Sequence, residues 1–254
     1  MMDGNIILSV AKAMELLQLL SQAGKPVSLT ELTQRCGYPK STVFGLLTTM
    51  RAYDVITQMP DGKYALGLRL FEYGRQLERS WDISLVARPY MEHLSHLTDT
   101  SVMLSICEGD SVITLDQVEA QGKLRIVSDV GARLPIYCTS QGKVFLASRP
   151  VQEAEKLLRR QDMIQFTPHT ITEVTPLMQE IGQCREKGYA IENGEYKIGL
   201  RSISAPVRTV AGEVKYAVGV IGMFRSTYSE EFRAAVEQVC STAAMISAAL
   251  GYRK

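Results

Sequence analysis

Residues 28–66, SLTELTQRCGYPKSTVFGLLTTMRAYDVITQMPDGKYAL, decide the fold of the first part of this chain. Ser28 and Glu31 form a capping-box pattern, in which the serine oxygen accepts from a free backbone N–H and the glutamate reaches back to the cap N–H. Gly37 can adopt the left-handed conformation that ends a helix. Pro39 suits the first turn of the next helix, where its missing N–H costs nothing. The stretch therefore predicts two short helices joined by a tight turn.

A hairpin is predicted directly after the second helix. Pro60-Asp61-Gly62 has strong turn chemistry and lies between two runs rich in β-forming residues. The order helix, turn, helix, hairpin is typical of a winged helix-turn-helix, whose second helix enters the major groove of DNA. The alternative is an ordinary α-helical domain with a solvated helix face, but it does not account for this order of cap, glycine, proline and hairpin.

The second helix has two chemically different faces. Val43, Leu46, Leu47 and Met50 recur at helical spacing and form an apolar stripe that faces a core. The opposite face carries small hydroxyls that can reach base edges or phosphates, a lysine for phosphate and a phenylalanine for a thymine methyl group. The predicted contacts with double-stranded DNA are Ser28, Thr30, Tyr38, Lys40, Ser41, Thr42, Phe44, Gly45, Thr48, Thr49 and Lys63.

Charge is distributed unevenly along the chain. The 254 residues carry a formal net charge of only +1, which excludes a polycation. Residues 24–51, however, hold four basic side chains and one acidic one. That local excess fits a modest DNA footprint, which dimerisation would double. The length suits two domains, and the 46% hydrophobic content is that of an ordinary globular protein.

The cysteines and the hydropathy of the chain indicate in which cellular compartment the protein is expected. The five cysteines are odd in number, form no C-x-x-C pair and follow no secretory pattern, which favours a reduced cytoplasmic environment. Cys36 and Cys240 lie on apolar helical patterns and are expected in cores. No apolar stretch approaches the roughly 20 residues that span a bilayer, so we expect no membrane partner.

Beyond residue 81 the pattern changes to hairpins mixed with helices, which predicts an α+β domain with an antiparallel sheet. The predicted domains are residues 1–66 for DNA binding, a linker helix at 67–80, and 81–254 for effector binding and oligomerisation. The linker helix either pairs with its copy in a dimer or is a plain surface helix. Predicted helices span 9–22, 67–79, 85–97 (with Tyr90, Leu94 and Leu97 in register), 139–148, 151–161, 173–187 and 230–250, and predicted strands span 101–107, 111–118, 124–128, 201–209 and 214–223.

Four ordered segments of the chain resemble the IclR family of bacterial transcriptional regulators. These are GYPKSTVFGLLTTM at 37–50, VGARLPIYCTSQGKVFLA at 130–147, GYAIENGEYKIGLRSISAPVR at 188–208 and EVKYAVGVIG at 213–222. The resemblance implies a winged helix-turn-helix joined to a GAF/PAS-like effector-binding domain. It also implies a homodimer or homotetramer that binds an operator and a small-molecule effector.

The resemblance also implies an effector pocket. Its backbone N–H groups would come from Ser140, Gln141 and Gly142 at a helix start, which suits an anion. Glu192 and Ser202 fall at polar pocket positions of the family. Glu192 would turn toward a ligand hydroxyl, pair with a cation or be protonated, and the sequence leaves these three alternatives open.

This chain departs from the family pattern at several of these positions. Gly219 and Ile221 replace serines that are frequent in the family, so they either line a less polar pocket or pack as an ordinary buried strand. A less polar wall favours an organic or aromatic carboxylate as effector. Phe44-Gly45 replaces a His-Arg or similar pair on the recognition helix, which removes a strong guanine or phosphate donor.

Other classes of function find weaker support. Cys138 with His169 would suit a thiol enzyme, but nothing in the sequence brings them together. Gln141-Gly142-Lys143 lacks the flanking residues of a phosphate loop, and His93 with His96 offers only two metal ligands. A ligand-independent DNA-binding protein, whose second domain only oligomerises, stays as the alternative. We expect no catalytic residue, metal or cofactor.

Overall fold

The computed structural model describes residues 6–80, 82–120 and 129–253. They fall into two compact units that meet in sequence between residues 81 and 82. The strand predicted at 124–128 lies outside the described residues. Within the described ranges, every helix is too short or too polar to cross a membrane.

The first unit is a winged helix-turn-helix, as the sequence predicts. In its described residues, 6–80, three helices precede a two-stranded antiparallel hairpin and a fourth helix follows it. The elements are α1 (Leu8–Ala23), α2 (Leu29–Cys36), α3 (Lys40–Ala52), β1 (Ile56–Gln58), β2 (Tyr64–Leu66) and α4 (Leu68–Ser80).

The hydrogen bonds at the start of α2 and the position of Pro39 at the start of α3 differ from the prediction. The Ser28 hydroxyl accepts from the Glu31 N–H at 3.2 Å, but the Glu31 carboxylate pairs with Arg35 at 2.6 Å. The i,i+4 pairing therefore takes the place of the reciprocal half of the capping box. Pro39 precedes the first turn of α3, and its carbonyl accepts from the Val43 N–H at 3.1 Å. Gly37 ends α2 with φ of 70°, as predicted.

The core of the first unit confirms the predicted apolar stripe of α3. Val43 and Leu47 are fully buried against Leu16 and Leu32 of the two preceding helices. Tyr64 of the hairpin joins this core, and its backbone pairs with Val27 ahead of α2. Burial of these side chains leaves the opposite face of α3 in solvent.

The second unit is an α+β fold. Its described elements are α5 (Asp82–Thr98), β3 (Ser101–Glu108), β4 (Ser111–Val118), β5 (Arg133–Pro135), α6 (Ser140–Ser148), α7 (Val151–Leu158), α8 (Val174–Lys187), β6 (Ala190–Asn193), β7 (Arg201–Arg208), β8 (Val214–Gly222) and α9 (Glu230–Ala249). Among the described residues, six strands form one antiparallel sheet of order β5-β4-β3-β8-β7-β6. Both predicted hairpins, β3–β4 and β7–β8, are present, whereas the sequence pattern does not predict the short strands β5 and β6.

The two faces of this sheet carry different layers. Helices α5 and α9 pack on one face, against Ile203 and Val218, and helices α6 to α8 pack on the other. Because successive strand residues point to opposite faces, Ser202 and Ser204 lie on the α6 face. This alternation brings hydroxyls of β7 to the start of α6.

The apolar face of α5 is offset from the predicted one. Leu94 is fully buried and Tyr90 packs against the core, but Leu97 is 51% exposed, so its place in the predicted register is wrong. The buried face instead runs through Ala87 and Met91. The helix begins at Asp82, ahead of the predicted start, and Leu97 lies in its last turn outside the packed face.

Candidate DNA interface and effector cavity

The solvent face of α3 presents the side chains proposed for DNA. Lys40, Ser41, Gly45, Thr48 and Thr49 are exposed. Phe44 is 53% exposed, although it is a large apolar residue. Thr42 is half-buried. An exposed aromatic ring on a helix that bears small residues suits contact with base edges in a groove.

The hydroxyl protons of the two threonines on this face are used in hydrogen bonds to helix carbonyls. Thr48 donates to the carbonyl of Phe44 at 2.8 Å, and Thr49 donates to the carbonyl of Gly45 at 3.0 Å. Each hydroxyl therefore offers a partner an acceptor oxygen rather than a donor. The sequence shows which residues share the face but not this direction of donation.

Other DNA candidates make contacts within the first unit. Ser28 caps α2, and the Tyr38 hydroxyl bonds to the Glu15 carboxylate of α1. The Lys63 ammonium pairs with Asp61 in the hairpin turn at 2.7 Å. Thr30 is exposed. Ser28 and Tyr38 thus have structural roles whether or not they touch DNA.

Gln58, which sequence reasoning missed, joins the recognition helix to the hairpin. Its Oε1 accepts from Arg51 at the end of α3 at 2.5 Å, and its Nε2 donates to the Gly62 carbonyl at 3.2 Å. A polar residue in a short strand gives no indication of such a bridge. The bridge fixes the hairpin turn relative to α3.

The second unit holds a cavity of about 190 Å³ between α6, the sheet and the segment after β6. Four of the seven predicted effector contacts line it, namely Gln141, Glu192, Ser202 and Ile221. The remaining wall is part apolar and part polar, and sequence reasoning missed all of it: Met103, Asp129, Leu134, Thr139, Tyr196, Lys197 and Leu200.

Ser140, Gly142 and Gly219 are not among the residues that line this cavity. The Gly142 N–H donates to the Thr139 hydroxyl at 3.2 Å, so the helix cap already uses it. A Cβ on Gly142 would lie 2.0 Å from the Ile136 carbonyl, and one on Gly219 would lie 2.1 Å from the Ser204 hydroxyl. Both glycines therefore permit close packing.

Ser140 belongs to a line of buried hydroxyls that ends at Glu192. It donates to Ser202 at 2.8 Å, and Ser202 donates to Glu192 at 3.2 Å. Ser204 lies 2.7 Å from the Ser140 oxygen, and because Ser140 has one proton, Ser204 is the donor there. The line runs from β7 through α6 and back to the cavity wall.

Gln141 has an unsatisfied amide. The side chain is only 2% exposed, and its Nε2 has no hydrogen-bond partner among the described residues. Its Oε1 is 3.4 Å from the Ser140 hydroxyl. A buried donor without an acceptor costs about 1–3 kcal/mol, so such a group in a cavity wall is a place for a ligand acceptor.

Glu192 is held at three points. Its Oε1 accepts from the N–H groups of Glu195 at 2.5 Å and Tyr196 at 3.1 Å, while its Oε2 accepts from Ser202. Burial raises the pKa of this carboxyl to about 7, against the opposing effect of those three donors. Both protonation states are therefore populated near neutral pH.

A buried ion triad supports the segment that carries Glu192. Lys143 is fully buried, and its Nζ lies 2.5 Å from Glu180 and 2.6 Å from Glu195. Burial lowers the pKa of Lys143, but the two carboxylates raise it by more, so the ammonium stays charged. The backbone carbonyl of Glu195 also accepts from Thr170 at 2.6 Å. The sequence places Lys143 only in the incomplete phosphate-loop pattern, and nothing near it in the chain indicates this role.

The residues considered for a thiol enzyme or a metal site lack the chemistry that such sites need. Burial raises the pKa of the Cys138 thiol to about 12, so it is not a thiolate at neutral pH. His93 and His96 are both exposed on α5. Among the residues that the structure describes, no three potential ligands cluster in a way that would hold a metal ion.

Comparison with known proteins defines the class. The family described as "Bacterial transcriptional regulator IclR C-terminal" matches residues 76–248, and the "IclR helix-turn-helix domain" matches residues 9–60. A winged helix-turn-helix followed in the same chain by a domain with a ligand-sized cavity is the architecture of a ligand-responsive DNA-binding protein. The chain belongs to the IclR family of transcriptional regulators.

Similar proteins cover nearly the whole chain. The HTH-type transcriptional regulator XynR of Escherichia coli is 32% identical over 97% of this chain and 98% of its own length. An IclR transcriptional regulator from Alicyclobacillus acidocaldarius superposes with a TM-score of 0.83 at 28% identity, over 97% of this chain and all of the other. An IclR homologue from Microbacterium hydrocarbonoxydans, complexed with 4-hydroxybenzoate, gives a TM-score of 0.81 at 22% identity, over 95% and 98% of the two chains.

Proposed function

We propose that this regulator binds its operator through α3 and the hairpin, and that a small acid in the 190 Å³ cavity controls that binding. The observation that carries the proposal is the Gln141 amide, whose Nε2 has no partner in the described part of the chain and which lies in the wall of a cavity that also holds Glu192. We assign residues 1–66 to DNA binding, 67–80 to a linker and 81–254 to the effector domain. The boundary between the two compact units supports this division.

Cavity size and lining indicate the class of effector. A dry cavity of about 150 Å³ holds benzene, so about 190 Å³ suits a monocyclic or short-chain acid. Gln141 would donate to a carboxylate oxygen, and Glu192 would meet a ligand hydroxyl. Lys197 in the same wall would offset the negative charge. The fold accommodates such a molecule, since the Microbacterium protein binds 4-hydroxybenzoate.

The effector proposal is tested with Gln141→Ala. Monocyclic and short-chain hydroxy acids are first screened by thermal shift, because a ligand at 100 times its Kd stabilises by about 2.7 kcal/mol. The variant should then weaken binding of the best acid about tenfold or more, the worth of a hydrogen bond to a charged group. Gln183→Ala, on the exposed face of α8, is the matched control. Equal affinity of the Gln141 variant and the native chain places the ligand elsewhere.

The DNA proposal is tested with Lys40→Ala, using duplexes selected from a randomised library by the native chain. Loss of one phosphate contact should weaken binding to all sequences and reduce the slope of log affinity against log salt by about 0.9 per copy. Lys156→Ala in α7 removes the same charge from the second unit and should leave both quantities unchanged. An unchanged slope for Lys40→Ala contradicts the phosphate contact.

We further infer that the chain acts as a homodimer or homotetramer. Helix α3 carries two basic residues, Lys40 and Arg51. So few charges on the recognition helix of one copy favour paired copies on half-sites spaced by whole helical turns. Light scattering of the free chain measures this assembly directly.

A further inference from the structure

Gly45 lies in the interior of α3, where glycine is unfavourable. A helix with alanine at such a position is more stable than one with glycine. A Cβ built on Gly45 would have no atom of the described chain within 4 Å, and its backbone is ordinary helix. Nothing within the described chain therefore requires a glycine here.

Other glycines of the chain differ in this respect. A Cβ on Gly67 would lie 2.1 Å from the Asp54 carbonyl, so packing within the first unit explains that residue. Openness alone does not single out Gly45, because Gly182 in α8 is equally open. Gly45 is distinguished by its place on the exposed face of α3, directly beside the exposed Phe44 ring.

Near Gly45, the exposed face of α3 is better suited to recognise DNA by shape complementarity than by donating hydrogen bonds. The Thr48 and Thr49 protons are bound to helix carbonyls, one of them the carbonyl of Gly45 itself. Phe44 offers only apolar surface. Around Gly45, where the threonine protons are engaged and Phe44 is apolar, this face makes its contacts by close approach and by apolar contact, as with the methyl group of thymine.

We propose that Gly45 marks the point where α3 approaches DNA most closely, so that its missing side chain is a determinant of operator specificity. The inference rests on the proposed placement of α3 against DNA. The absent Cβ lets the helix backbone come down onto the base-pair edges while Phe44 contacts a thymine methyl beside it. A side chain at 45 would lift the helix away from these contacts.

The test is Gly45→Ala in the full chain, measured on the duplex that the native chain selects from a randomised library. The variant should bind this duplex about tenfold more weakly, as a single mismatched base pair does, and Gly45→Leu should bind more weakly still. The α3 amides of Gly45→Ala should exchange with solvent about fourfold more slowly, because the free helix is stabilised. Gly182→Ala makes the same change in α8 and should leave DNA affinity unchanged.

Two results overturn the inference. In the first, Gly45→Ala binds the selected duplex as tightly as the native chain. In the second, Gly45→Ala loses affinity, but light scattering shows that it no longer assembles, so lost assembly explains the loss. Lys40→Ala distinguishes the placement of α3 on DNA from the close approach at Gly45. If it too leaves affinity and salt slope unchanged, the placement of α3 fails; if it weakens binding while Gly45→Ala does not, only the close approach fails.

Discussion

Lys143→Met is expected to destabilise the second unit by about 3–5 kcal/mol, the cost of removing one partner from a buried ion pair. The side chain is fully buried between Glu180 and Glu195, and Glu195 is itself only 5% exposed. Methionine fills the volume but leaves the Glu195 carboxylate buried beside no cation. Urea denaturation of the full chain, with amide exchange in β7 and β8 to identify the unit, measures the loss.

Two further variants test the cause of this loss. Lys187→Met changes an exposed lysine of α8 and should alter stability by less than about 0.5 kcal/mol. Adding Glu195→Gln to Lys143→Met should restore part of the stability, because it removes the unpaired charge. A loss without such recovery would indicate packing rather than charge as the origin.

Glu192→Gln is expected to stabilise the second unit by about 3 kcal/mol at pH 8 and to change it little at pH 4.5. The pKa of this carboxyl rises from an ordinary 4.5 to about 7 because the group is buried. The folded chain therefore binds more protons than the unfolded chain between those values, so native stability is full below pH 4.5 and falls as pH rises through 7. The difference corresponds to about 3 kcal/mol.

Urea denaturation at about pH 4.5, 6 and 8 checks this dependence. Glutamine keeps an acceptor for the two backbone N–H groups and stays neutral, so the Glu192→Gln variant should lack the decline that the native chain shows across this range. Glu186→Gln, on the exposed face of α8, is the control and should follow the native curve. Parallel curves for the native chain and Glu192→Gln would show that Glu192 does not titrate in this range.

Much of the first unit follows from its sequence because its determinants act over three or four residues. The Ser28 cap, the Gly37 turn and the 60–62 turn each need only neighbouring residues. The apolar stripe of α3 likewise follows from helical spacing alone. The direction in which Thr48 and Thr49 donate, and the Gln58 bridge, depend on side-chain geometry that spacing does not encode.

The cavity is less predictable because its parts come from distant segments. Lys143 lies 37 and 52 residues from its two carboxylate partners, and nothing local indicates either. The resemblance to a family located Gln141, Glu192, Ser202 and Ile221 in the wall. It did not show that close packing against Ile136 and Ser204 occupies Gly142 and Gly219. That the Gln141 Nε2 has no partner among the described residues is known only from their positions in three dimensions.

The hydroxyls behind the cavity donate in one direction along their line, and that direction depends on the protonation of Glu192. With Glu192 ionised, Ser202 donates outward to it and Ser140 donates to Ser202. A proton on Oε2 makes Glu192 a donor, so the Ser202 proton has to turn from this carboxylate to another acceptor, and the Ser140 oxygen lies 2.8 Å away. When Ser140 accepts this proton, its own proton is free for the Gln141 Oε1, 3.4 Å away. The protonation of Glu192 is thus linked, through the hydroxyls of Ser202 and Ser140, to the side chain of Gln141, the other proposed ligand anchor.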